Sequence, residues 1–244
     1  MRVDAVIPAW DEEATVGVQV AAVPRPPVGR VVVADNGSRD ATADVARAAG
    51  AVVVPAPRRG YGSACLAGLD WLRRHEPPDV VVFLDADLAD DASELPLLLE
   101  PLAAGTADLV IGSRTLGRRQ RGALLPQARA GNLVACCLIR LLYRHRYTDL
   151  GPFRAIRWSA LDRLGMADPD FGWTAEMQVK ALRAGLAVAE VPVSYRKRPG
   201  RSKISGTVSG TVRAGHKILW TVLAHALGPS TVGAAQPARG LDGG

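Results

Sequence analysis

The sequence predicts an α/β domain with a mainly parallel central sheet flanked by helices. Three observations predict it. Short Val-rich runs without polar alternation recur along the first half, the pattern of strands buried on both faces. Helix-patterned segments separate them at βα spacing. Hydrophobic content of 48% in 244 residues supplies one large core.

VDAVIP (3–8) reads as the first strand and is followed by a helix from about Glu12 to Ala22. RVVVAD (30–35) is the second strand. The next helix spans 38–50, with Ser38 or Asp40 as its N-cap and Gly50 as its stop. AVVVP (51–55) is the third strand, and a loop enters a helix over 60–75. DVVVFLD (79–85) is the fourth strand, 92–105 a helix, and ADLVIGSR (107–114) the fifth strand. Beyond it a helix is expected over 128–144, a strand over 151–157, a helix over 172–185 and a strand over 187–198. A loop entering a helix follows over 204–227, and the Gly/Pro/Ala-rich tail 228–244 is expected to be disordered. The chain is therefore expected to be one domain over 1–227, with halves 1–112 and 113–227 that differ in composition.

The net charge is +6, and all but four of the basic residues are Arg, which suits bidentate phosphate contact. Aromatics are only 5%, and no basic helix with interleaved aromatics recurs, so a nucleic-acid partner is not expected. Cys65, Cys136 and Cys137 form neither a disulfide framework nor a metal knuckle, which fits a reducing cytoplasm. There is no signal-peptide pattern, and no apolar run reaches the ~18–20 residues of a membrane span.

In an open parallel sheet, ligands bind at the carboxyl ends of the strands. That rim collects Pro8, Asp35, 58–62 and Asp85 to Asp87. The fourth strand ends in Asp85, Asp87, Asp90 and Asp91. Hard divalent cations take oxygen ligands and bridge to phosphates, so Asp85 and Asp87 are candidates to hold Mg²⁺ or Mn²⁺. The competing reading is an N-cap cluster for the next helix, which suits Asp90, Asp91 and Ser93 better.

IPAWDEEATV, VVVADNGSRDAT, RRGYGSACLAGL and VVFLDADL occur in that order. Together they resemble family 2 glycosyltransferases of the GT-A (Rossmann-like) fold. Downstream, GSR, TDLGPFRAIR and YRKRPGRSKISGTV resemble the polyprenyl-phosphate (dolichol-phosphate) sugar synthase branch. The resemblance covers about residues 1–217. It implies that Pro8, Ala9, Trp10 and Glu12 line a nucleotide, that Asp35 bonds the base, and that Arg59, Gly60 and Gly62 approach the nucleotide. Asp85 and Asp87 would hold the metal and diphosphate, with Asp87 catalytic. The branch usually carries Gln shortly after its second Asp; Leu88, Ala89 and Asp90 stand here instead.

The second half carries eight arginines and no acid between Leu109 and Thr148. Arg114, Arg196, Arg201, Ser202 and Lys203 match positions around the acceptor phosphate in that branch. A solvated charge run is the alternative, for Lys197 and Arg198 in particular. Glu176 and Asp149 are candidate catalytic acids on the acceptor side. Glu176 has a simpler alternative, an i,i+4 pair with Lys180.

The expected reaction is an inverting, metal-dependent transfer of a sugar from a UDP- or GDP-sugar to an acceptor, polyprenyl phosphate by resemblance. A phosphate acceptor needs no base. A soluble hydroxyl acceptor would need Glu176 or Asp149. A nucleotidyltransferase lacks its usual early Gly-rich loop here, and a non-catalytic binder of anionic membrane or nucleic acid would not need the paired aspartates. The expected location is the cytoplasm, with a peripheral contact at the inner face of the cell membrane.

Overall fold

The computed structural model describes residues 1–199 and 208–227, with backbone alone at 208–212. The strands are β1 (Val3–Ala9), β2 (Val28–Asp35), β3 (Val52–Pro55), β4 (Val80–Phe83), β5 (Leu109–Ser113), β6 (Arg154–Arg157) and β7 (Val188–Pro192). The helices are α1 (Val16–Ala22), α2 (Thr42–Ala48), α3 (Tyr61–Arg74), α4 (Leu95–Ala103), α5 (Pro126–Tyr143), α6 (Trp158–Leu164), α7 (Trp173–Arg183) and α8 (Val208–Leu227).

All seven strands join one sheet in the order β3-β2-β1-β4-β6-β5-β7. Only β6 is antiparallel to its neighbours. Six strands therefore end at one rim, where β1, β2, β4 and β5 deliver Ala9, Asp35, Phe83 and Ser113. Because β6 runs back, it brings its first residue, Arg154, to that rim opposite Phe83 and Ile111.

Alternate residues of each strand point to opposite faces. Val6, Val81 and Phe83 join a core covered by α3, α5, α6, α7 and α8. Ala5, Ile7, Val80 and Val82 join a second core covered by α1, α2 and α4. Burial of β1 and β4 on both faces explains why their sequences show no polar alternation.

Several boundaries differ from the sequence reading. The first helix begins at Val16 because the 11–13 backbone serves another purpose. The N–H groups of Asp11, Glu12 and Glu13 donate to side chains of Ser38, Thr42 and Asp40. With Ser38 used there, Asp40 satisfies the start of α2, accepting from the Thr42 N–H at 3.0 Å. The final strand stops at Pro192 rather than 198, since beyond it only Tyr195 forms isolated bridges, to Asp90 and Arg119. Helix α6 went unassigned in the sequence; its seven residues are too few to show a 3.6-residue period. The tail 228–244 lies outside the described residues.

One seam fixes the shape of the rim. The 168–170 backbone lies against the start of α3, where the Ser63 N–H donates to the Pro169 carbonyl at 2.8 Å. A Cβ on Gly60 or Gly62 would overlap the Pro169 or Asp168 carbonyl. These glycines were expected to admit a nucleotide; the room they leave also admits another stretch of the same chain.

That seam sets the sign of a substitution. Ala normally gains about 1 kcal/mol over Gly in a helix. Gly62→Ala should nonetheless destabilise by roughly 1–3 kcal/mol, because backbone must move to seat the methyl. Urea unfolding would measure this, and a more stable variant would show that the 168–170 segment does not rest on α3.

Candidate active site

A cleft of about 540 Å³ opens at the carboxyl rim of the sheet. The end of β1 supplies Pro8, Ala9, Trp10 and Glu12, and the approach to α3 supplies Arg59, Gly60, Tyr61 and Ala64. Asp85, Ala86 and Asp87 line it after β4, while Asn36, Asp170, Phe171, Arg198 and Arg213 complete it. Seven distant stretches of sequence thus meet, four of them because the parallel strands β1 to β4 end together.

Most of the residues named from the sequence for the nucleotide side come together here. Arg59 lies over the Trp10 ring, 4.2 Å from its centroid, a cation–π contact that joins two of them. Asp35 and Gly62 do not line the cleft. One Asp35 oxygen, Oδ1, accepts from the Ser38 N–H at 3.2 Å and from the Ser38 hydroxyl, so part of its role is to shape the turn. Gly62 sits under the 168–170 seam. Asn36 had not been singled out, although it adjoins Asp35 in the same motif. Its amide donates to the carbonyls of Ala56 and Arg58, at 3.0 and 2.7 Å, and its oxygen accepts from the Gly60 N–H at 2.9 Å. It is the residue that holds the loop entering α3.

The acidic turn after β4 divides its work. Asp91 caps the following 3-10 turn, accepting from the Ser93 N–H and hydroxyl at 3.2 and 2.7 Å, and also pairs with Arg196. Asp87 is buried; Oδ1 accepts from the Ala89 N–H at 3.0 Å and Oδ2 meets Arg198 Nη1 at 2.7 Å. Asp85 Oδ1 and both Asp90 carboxylate oxygens are buried with no hydrogen-bond partner among the described residues. Asp90 was read as suited to share the capping role; neither of its oxygens accepts a hydrogen bond among the described residues, and Asp91 alone caps the turn. Burial, and then the charge of Asp87, push the Asp85 carboxyl up to about 7. Burial, followed by the charges of Asp85 and Asp87, raises Asp90 well above the carboxylate range.

Orphaned, desolvated carboxylate oxygens beside a second carboxylate are a donor set suited to a hard divalent cation. Asp85 and Asp87 are the cleft-lining members of this cluster and fit that role. Among the described residues no group of three or more His, Cys, Asp or Glu side chains is arranged to hold a metal. An ion at this rim would therefore draw its remaining ligands from water and substrate phosphates, as Mg²⁺-type sites do.

The acceptor-side candidates separate. Arg114 and Asp149 were expected to act apart, one on a phosphate and one as an acid. They face each other instead: Arg114 Nε and Nη2 donate to Asp149 Oδ2 and Oδ1 at 2.7 and 2.6 Å, and the Arg114 N–H donates to Oδ2 at 2.8 Å. Asp149 is buried and Arg114 half-buried, and against the desolvation that opposes it the Asp149 charge holds Arg114 protonated. Glu176 is also buried away from the cleft. It meets Lys180 Nζ at 2.7 Å and accepts from the Ala167 and Asp168 N–H groups. Arg196 turns to Asp91. Arg201, Ser202 and Lys203 lie outside the described residues.

Arg198, which the sequence left as a solvated cation, lines the cleft and pairs with Asp87. The segment after Pro192 folds back over the acidic turn, its Arg196 N–H donating to the Ala89 carbonyl at 2.8 Å. Asp170, Phe171 and Arg213 also enter the cleft unannounced. Asp170 and Phe171 follow from the 168–170 seam, which no local sequence signal marks.

A sequence profile described as Glycosyl transferase family 2 matches residues 4–164. Over 215 residues the chain is 41% identical to an uncharacterized glycosyltransferase of Mycobacterium bovis, spanning 87% of this chain and 94% of that protein. Over 229 residues it is 33% identical to an undecaprenyl-phosphate mannosyltransferase of Micrococcus luteus, spanning 86% of this chain and 90% of that one. The fold is similar to glucosyl-3-phosphoglycerate synthase from Mycobacterium tuberculosis, solved in complex with Mn²⁺, uridine-diphosphate-glucose and phosphoglyceric acid. That likeness has a TM-score of 0.73 and 25% identity, covering 94% of this chain and 81% of that chain.

Two predictions follow from the charges at the rim. Between the unfolded carboxylate value and about 7, folded Asp85 keeps a proton that the unfolded chain has released. The stability it contributes is full below the unfolded value, falls as pH rises toward 7, and then levels off. Melting of the protein in chelator at pH 5 and pH 7.5 should show a loss that Asp85→Asn removes, on the order of a few kcal/mol. An unchanged pH dependence in Asp85→Asn would contradict the assignment. Separately, a cation at Asp87 must displace Arg198. Arg198→Ala should therefore tighten Mn²⁺ binding to the nucleotide-free protein about 3- to 10-fold, for a partly exposed pair worth roughly 1 kcal/mol. Calorimetry that found weaker binding would make Arg198 a helper of the cation rather than its competitor.

Proposed function

The chain belongs to glycosyl transferase family 2, and from that premise we propose that it moves a sugar from a UDP- or GDP-sugar to polyprenyl phosphate with inversion at the anomeric carbon. The observation that carries the choice of acceptor is the engagement of both carboxylates that the sequence offered as base for a hydroxyl acceptor. Asp149 is held by Arg114, and Glu176 by Lys180 and two backbone N–H groups. A phosphate acceptor is already ionised at neutral pH and needs neither. The name of the Micrococcus luteus relative supports the same acceptor class.

In this reading the nucleotide lies along Pro8, Ala9, Trp10 and Glu12, against the Trp10–Arg59 pair. Asp35 Oδ2, which accepts nothing among the described residues, is available to a base N–H. A divalent cation, Mg²⁺ or Mn²⁺, held by Asp85 and Asp87 would supply Lewis-acid stabilisation of the departing diphosphate. Arg198, beside Asp87, and Arg213 also line the cleft, and in this reading their positive charge orients the anionic acceptor for attack from the opposite face of the sugar. Arg201, Ser202 and Lys203, outside the described residues, keep the acceptor-phosphate role that the resemblance implies. Arg114 acts through Asp149 as a positioning residue for the turn that leads into β6, and Glu176 positions the 167–168 turn beneath the cleft. Among the described residues no helix is long and apolar enough to cross a membrane, so an acceptor carried in a bilayer would be met through a peripheral contact.

A second reading has its own observation. Asp170 lines the cleft, and its carboxylate has no partner among the described residues. It could serve as base for a soluble hydroxyl acceptor, and the structurally similar synthase was solved with phosphoglyceric acid.

One assay separates the readings. The protein is incubated with Mn²⁺ or Mg²⁺ and a panel of UDP- and GDP-sugars, with and without polyprenyl phosphate, and products are read by mass. Sugar-phosphate lipid is expected, with turnover abolished by chelator and by Asp87→Ala. Asp170→Asn should be mild. A loss of ~10²–10⁴-fold in Asp170→Asn, the scale of general base catalysis, together with product only on a hydroxyl compound, would replace the lipid-phosphate reading by the second.

A further inference from the structure

Two helices keep apolar side chains in solvent. α5 buries Ala135, Cys136 and Ile139, and α8 buries Val222, in one and the same core cluster. α8 packs against α5 and α7 on that side of the molecule, so the exposed sides of α5 and α8 adjoin. The Tyr143 hydroxyl at the end of α5 donates to the Val222 carbonyl at 2.9 Å and ties the two helices together. On its outer side α5 carries Leu133, Val134 and Leu141, the last 77% exposed. On its outer side α8 carries Trp220, Leu223 and Leu227, with Trp220 60% and Leu227 87% exposed. Their spacings place each set on one helical stripe. Single exposed apolar residues are ordinary, but two adjoining stripes call for an occupant.

The charge around them selects it. Arg129, Arg140 and Arg144 on and beside α5 are exposed. No Asp or Glu occurs between Asp108 and Asp149, or between Glu190 and Asp242, so neither helix bears a carboxylate. An indole among leucines, bordered by arginines and free of acid, is the composition of a helix lying at an anionic lipid surface. A second copy fits worse, because a two-fold contact would set the same arginines against themselves.

We propose that the outer side of α5 and α8 docks on an anionic bilayer and holds the cleft close to the bilayer surface. This deepens the lipid-phosphate reading and rests on it for that function, while the docking itself stands on the surface. α8 provides the measure. Arg213 lines the cleft, and Trp220 lies seven residues further along the same helix, about 10 Å at the α-helical rise. Leu227 is about 21 Å from Arg213 by the same rise. An acceptor phosphate at a lipid surface met by Trp220 and Leu227 is thus within a few helical turns of the cleft's own cations.

The test uses the full chain and vesicles that contain no polyprenyl phosphate. Flotation is compared on phosphatidylcholine alone and on phosphatidylcholine with phosphatidylglycerol. The protein is expected to float only with the anionic vesicles, less so as salt rises. Trp220→Glu combined with Leu141→Glu should lower vesicle affinity at least about tenfold, since each stripe loses an apolar anchor. Circular dichroism melting and calorimetric binding of UDP or GDP should stay unchanged, which excludes misfolding. Failure of the parent to float, or equal flotation of the variant, overturns the proposal. So does a dimer in analytical ultracentrifugation that the same substitutions abolish, because the occupant is then a second copy. Since the vesicles hold no acceptor, the outcomes separate from those of the acceptor assay. A protein that floats but glycosylates only soluble compounds loses the lipid-phosphate reading alone. One that modifies polyprenyl phosphate in detergent without floating loses the docking face alone.

Discussion

Negative charge held out of water at the end of β4 is the constraint around which the rim is organised. Asp87 and Asp90 are buried and Asp85, half-buried, has one oxygen shut away from water, and three like charges in a low-dielectric place cannot all ionise without compensation. The chain answers in two ways. It lets Asp85 and Asp90 hold protons at pH values where an exposed carboxylate would be bare. It also brings cations from far along the sequence, Arg198 directly onto Asp87 and Arg114 close by. Arg114 is fixed by Asp149, which is itself anchored by the turn ahead of β6. The course of the chain after β5, the turn before β6 and the return past Pro192 all converge on this charge. A fold with no ligand to neutralise would gain by replacing the cluster with apolar residues, which is why the proposed function gives this charge a cation.

The other face of the cleft depends on close approach between backbones. Gly60 and Gly62 leave room for the 168–170 segment, and Glu176 accepts from the N–H groups of Ala167 and Asp168. Asp168 reaches on to α8, where Lys217 Nζ lies 2.9 Å from its Oδ2. One carboxylate on α7 therefore sets a turn that joins α3, α7 and α8 and presents Asp170 and Phe171 to the cleft. Glu176 does not line the cleft and bears on it through the position of that turn.

Helix α8 links three things that the sequence keeps apart. Its start gives Arg213 to the cleft, its middle gives Val222 to the core, and its outer stripe leaves Trp220 and Leu227 in solvent. A 20-residue helix can serve all three because successive turns face different surroundings while remaining rigid along the axis.

The order and type of the strands through β5 were legible in the sequence because burial on both faces leaves an uninterrupted Val-rich run, a local signal. The paired Asp85 and Asp87, the turn at Asp35, and the Trp10 and Arg59 positions were legible for a related reason: each sits at the carboxyl end of a strand, and parallel strands end together. The family was legible in the ordered set of those motifs. What tertiary structure alone decided is which charge meets which. Arg114 faces Asp149, Arg198 faces Asp87, and Glu176 turns to Lys180 and the 167–168 backbone. Gly62 touches Asp168, more than a hundred residues away, for no reason visible near either. Local periodicity records whether a residue is buried, but the partner of a buried charge is chosen by the folding back of distant segments, and desolvation decides the strength of the pairing. Sequence thus determined where the rim and its acid lie; only the packed chain determined which carboxylates are engaged and which are left for a ligand.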